Sequence, residues 1–170
     1  MLGPDEKIMV FNDLQEVLES KQRYQNFNRS IYSGKYEVSG LGIALDKNIE
    51  RKISTRLGWG KISVDTFLND MVFDGFREDK IGFTRLLNDY GGYPAIAAAQ
   101  KNAMIGACSF ITVLPRENGA PIFTAYTGAE ATGIWDSRKG LVAGLAVNQI
   151  EESPLGVLSV KDYLLFEPGR

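Results

Sequence analysis

Ile105-Gly106-Ala107-Cys108-Ser109-Phe110-Ile111-Thr112-Val113-Leu114-Pro115 is the stretch on which the fold turns. Before it, apolar residues recur at three- and four-residue steps, the period of helices; after it, they come in short runs separated by turn residues, the habit of strands. The run itself is an apolar strand entered from a small-residue helix.

Downstream, strands are expected over 108–114, 122–126, 131–136, 141–148, 156–160 and 163–166. Asn118-Gly119 and Lys139-Gly140 stand between apolar runs, where the positive φ that a tight hairpin needs is cheapest. Upstream, Leu14, Val17, Leu18, Tyr24, Phe27 and Ile31 predict an amphipathic helix over 12–32, capped by Asn12, stopped at Gly34 and docked through its aromatic end. Val64, Phe67, Leu68, Met71 and Val72 predict a second helix from Ser63, with Trp59 just ahead, followed by a short strand over 72–77 broken at Gly75. A helix over 82–90 ends at Gly91-Gly92. Pro94 then opens an alanine-rich helix over 95–105 whose small side chains suit close packing. Helices followed by strands give an α+β fold: a helical N-terminal half, then a mainly antiparallel sheet built of hairpins, as a single domain over 1–170.

Composition narrows the function by exclusion. Nineteen Lys and Arg against 21 Asp and Glu give a net charge of −2, without the basic excess of a dedicated nucleic-acid binder. No apolar run reaches the roughly 18 to 20 residues of a membrane helix, and the N-terminal residues lack a signal-peptide layout, so a cytosolic origin and no membrane partner are expected. There is no histidine, which removes Ser-His-Asp and Cys-His catalysis and most catalytic zinc sites. Cys108 is the only cysteine, so no intrachain disulfide can form, and it is expected to be a small core residue.

The remaining candidates are weak as chemistry. Gly40-Leu41-Gly42 lacks the third glycine and the preceding strand of a nucleotide-binding turn. Lys47, Arg51, Lys52 and Arg56 are interleaved with Asp46 and Glu50, as on a solvated face. Asp65, Asp70 and Asp74 have no further ligand at fixed spacing, and Asn28-Arg29-Ser30 spells a glycosylation acceptor inside a helix. Glu130 and Asp136, near strand ends, are the least bland carboxylate pair. No catalytic, cofactor-binding or metal residue is assigned, no cofactor is expected, and the chain is read as not an enzyme.

The order of landmarks is more informative than any one of them. An aromatic-rich helix ends in Ile31-Tyr32-Ser33-Gly34; Trp59 precedes Val64-Asp65-Thr66; Asp74-Gly75-Phe76-Arg77 follows; then come the small-residue helix, Gly106-Ala107-Cys108-Ser109-Phe110-Ile111-Thr112-Val113, and Ile134-Trp135-Asp136 before the run 141–147. This layout resembles the N-terminal part of the portal proteins of tailed bacteriophages with long non-contractile tails. The resemblance implies the wing of a ring subunit, usually dodecameric, at one capsid vertex. Its partners would be further copies of itself and the capsid protein; terminase and the head-tail connector would be met through stem, clip and crown regions that lie beyond Arg170. DNA would pass through the complete ring during packaging and ejection. The expected location is the virion, after assembly in the host cytoplasm. The run 163–170 looks like a strand entering a turn, and a fragment of a longer chain is expected.

Two other readings compete. One is a small α+β ligand- or protein-binding domain with Trp59, Phe76 and Tyr93 lining the site. The other is a carboxylate enzyme using Glu130 and Asp136.

Overall fold

The computed structural model describes residues 3–36, 58–138, 140–152 and 158–167. The glycine turn at 40–42 and the basic face at 46–56 lie outside these residues.

Helix α1 runs Pro4–Tyr32, beginning two turns before the expected Asn12 cap. Pro4 at its first position, Asp5 and Glu6 in the first turn, and the Glu6 carboxylate accepting the Gly3 N–H at 2.8 Å supply the start. Gly34, at φ 66, ends it, with the Gly34 and Lys35 N–H groups donating to Ile31 and Ser30 carbonyls. Its docked side is Leu14, Leu18 and Gln25, while Tyr24 and Phe27 stay exposed; the aromatic end is therefore not the buried face.

Helix α2, Trp59–Asp70, starts a turn ahead of Ser63, which sits exposed within it. None of its residues is buried. It is held to α1 by close approach: a Cβ on Gly60 would lie 3.0 Å from the Ile31 side chain.

The expected strand over 72–77 is absent. Gly75, at φ 95, breaks the extended run, and Phe73 and Phe76 pack on each other with ring centres 5.4 Å apart instead of joining a sheet. Helix α3, Phe83–Asp89, follows, and helix α4 runs Gly92–Gly106. Gly92 fits under Leu87, Ala95 and Ala99 are buried on α4, which packs on the first hairpin, and Gly106 lies against Gln25 of α1.

That hairpin pairs β1, Ser109–Pro115, with β2, Pro121–Thr127, in register Phe110 to Tyr126 and Val113 to Phe123. A three-residue turn leads to β3, Ala131–Asp136, β4, Gly140–Glu152, and β5, Leu158–Phe166, which form a second antiparallel sheet in the order β3-β4-β5. The α+β order is as the sequence indicates, with the strands divided between two small sheets. From Leu158 on, the two strands expected over 156–160 and 163–166 are one, because β4 is long enough to pair along all of β5, absorbing irregularities on either side of Gln149; residues 156 and 157 lie outside the described residues. The core lies where Leu14 and Leu18 of α1 meet Ala143, Leu145 and Val147, alternate residues of β4 on one sheet face. Phe11 and Tyr163 close its side edge to face at 5.6 Å.

Candidate functional site

The carboxylates serve the fold. Glu130 Oε2 accepts from both the backbone N–H and the hydroxyl of Thr127, at 2.9 and 2.8 Å, and so fastens the turn between the sheets. Asp136 accepts from the Arg138 N–H at 2.8 Å at the start of the next turn. They occupy opposite ends of β3, too far apart to flank one substrate bond. Asp65 accepts the Tyr32 hydroxyl at 2.8 Å, and the Lys101 ammonium stands 5.2 Å over the Tyr32 ring. Hydrogen bonding to Tyr32 is the main cause that raises the Lys101 pKa above the ordinary lysine value, with the Asp65 charge adding to it. This trio joins α1, α2 and α4. Among the described residues, no group of three His, Cys, Asp or Glu is placed to hold a metal ion.

Cys108 is partly buried, with the Gln25 amide 3.7 Å from its sulfur. The chain folds it into the joint where α4 passes into β1. Ser30, in the glycosylation-like triplet, lies on α1 with its hydroxyl donating to the Phe27 carbonyl at 2.7 Å.

The three aromatics proposed for a ligand site separate. Phe76 touches Phe73 and Phe83, and Tyr93 touches Phe73, at centroid distances of 5.4 to 5.9 Å; Phe83 continues the chain to Phe123. Trp59 is on α2 and has no ring contact with them. The cluster is a ring-packed joint between the 71–82 loop, α3, α4 and β2.

Several concavities lie among the described residues, one of about 170 Å³ over Tyr126, Glu130, Val147 and Asn148. A groove of about 210 Å³ lies between α1, α2 and α4, over Ile31, Tyr32, Val64 and Met104. A cleft of about 170 Å³ lies between the hairpin and the second sheet, over Phe110, Thr112, Leu141 and Phe166. The hydroxyls of Thr112 and Thr132 are buried without a hydrogen-bond partner. Both threonines are among the residues that line this cleft.

Several large apolar side chains are exposed on α2, the 71–82 loop and near the β3–β4 turn. Trp59 is 77%, Val72 82%, Ile81 83% and Trp135 74% exposed, with Ile62 and Phe67 along α2. A bulge between Ile134 and Trp135 aims the indole outward near the β3–β4 turn. Where such side chains lie contiguously they mark surfaces that meet other molecules. No protein-family model matches the chain, and no curated protein matches it significantly.

Proposed function

We propose that the chain is a structural assembly module: the wing part of a portal-ring subunit of a tailed bacteriophage, working in DNA packaging and head-tail joining. The observation that carries the assembly role is the set of exposed large apolar side chains on α2, the 71–82 loop and near the β3–β4 turn. Carboxylates committed to turns and helix contacts also favour assembly over catalysis. The portal identity rests on the order of sequence landmarks. In the fold these landmarks fall on the end of α1, on α2, on α4 and on β1. The expected partners are further copies of the chain and the capsid protein.

Negative-stain imaging and light scattering of the chain, expressed together with any continuation of its reading frame, test this. Rings with a central channel are expected; a discrete monomer at every concentration overturns the reading. The groove between α1, α2 and α4 favours a second reading, a small ligand- or protein-binding domain. A ligand that raises the melting temperature, and loses its effect in Val64→Trp, would favour that alternative.

A further inference from the structure

Helix α1 sorts its charges by end. Asp5, Glu6, Asp13 and Glu16 lie in its first half and Glu19 just past the middle; beyond Glu19 come Lys21, Arg23 and Arg29, and no acidic residue. Lys7, the one cation of the first half, is bound to Glu167 at 2.7 Å. Opposite the buried side of Leu14, Leu18 and Gln25 runs an exposed stripe of Met9, Asp13, Glu16, Ser20, Arg23 and Phe27, spaced by threes and fours. Met9 is 62% and Phe27 45% exposed, so each end of the stripe offers an apolar contact. None of the ion pairs among the described residues uses Asp13, Glu16 or Arg23.

We propose that this stripe docks a second copy of the chain, with the two α1 helices antiparallel. A two-fold axis level with Leu18 sets Met9 opposite Phe27 of the second copy, Asp13 opposite its Arg23, and Glu16 opposite its Ser20. Symmetry makes each contact twice. Charge selects the direction: a parallel pair would put Asp13 on Asp13 and Glu16 on Glu16. The inference goes beyond the ring reading and does not rest on it. A two-fold contact closes at two copies, so in a cyclic assembly it joins chains of two rings, or pairs chains before closure, and is never the neighbour contact within a ring.

The test is sedimentation equilibrium of the whole chain over a concentration series at low and high salt. A dimer is expected that weakens as salt rises, because its ion pairs are exposed. Asp13→Arg and Arg23→Asp should each raise the dissociation constant by about tenfold or more, since every reversal acts twice. The double variant D13R/R23D should restore the dimer by exchanging the signs. Circular dichroism should show all three variants folded. A monomer throughout, a dimer indifferent to Asp13→Arg, or a double variant no better than either single one overturns the proposal. Assemblies larger than two copies that ignore Asp13→Arg overturn it while leaving the ring reading intact.

Discussion

The side-chain amide of Gln25 donates to the backbone carbonyl of Gly106 at 2.6 Å, joining the third quarter of α1 to the last residue of α4 across 81 positions of chain. Gln25 is buried, and the backbone at Gly106 and Gly128 comes so close that a Cβ at either glycine would strike its amide. The same amide lies near the Cys108 sulfur. One polar side chain thus fastens α1, the end of α4, the start of β1 and the turn between the sheets.

Gln25→Leu should keep the volume and lose the donor, leaving a helix-terminal carbonyl buried without a partner. We expect a loss of about 1 to 3 kcal/mol, read from urea unfolding.

Gly128→Ala should be destabilising by about 1 to 3 kcal/mol, because its methyl would sit in occupied space. That Cβ would stand 2.5 Å from the Cys108 sulfur and 2.7 Å from Gln25 Nε2. Gly58→Ala, where nothing lies within 4 Å and φ is −77°, should stay within about 0.5 kcal/mol of the parent by thermal melting.

Ala107 holds φ 64 between α4 and β1, a left-handed conformation that glycine adopts without penalty. Ala107→Gly should therefore stabilise the chain, by about 0.5 to 1 kcal/mol and roughly 2 °C in Tm.

Asp79 caps α3 by accepting the Phe83 and Thr84 N–H groups, both at 2.6 Å. Hydrogen bonds from Thr84 first, then from Phe83 and Gly82, hold its pKa below the ordinary aspartate value. A lowered folded-state pKa adds stability that is fully present above the ordinary value near 3.8 and lost as pH falls through the folded value. Amide exchange in 83–89 should accelerate below about pH 4 relative to α4, and Asp79→Asn should remove most of that pH dependence.

What the sequence announced was local. The alanine helix and the hairpin at Asn118-Gly119 carry their own start, stop and turn signals within a few residues, and both were legible. The start of α1 was not, because Ile8 and Met9 point to solvent and leave its first turns without an apolar stripe. The strand expected over 72–77 failed on a non-local choice, Phe73 and Phe76 finding rings on α3 and α4 rather than a sheet edge. Trp59, Phe76 and Tyr93 were grouped by residue type, which says nothing about distance. Gln25 could not have been singled out: its partners are supplied by the fold, and a glutamine on a helix usually faces water.

Helix α1 also has a mechanical meaning. At 29 residues it is about 43 Å long, and it touches α2 and α4 as well as β3 and β4. It spans the molecule as a stiff strut, with the helical contacts toward one end and the β4 core toward the other. A load applied at either end would travel along hydrogen-bonded backbone instead of through the short turn between the sheets. The distance between the helical corner and the β4 core is thereby set by one continuous helix.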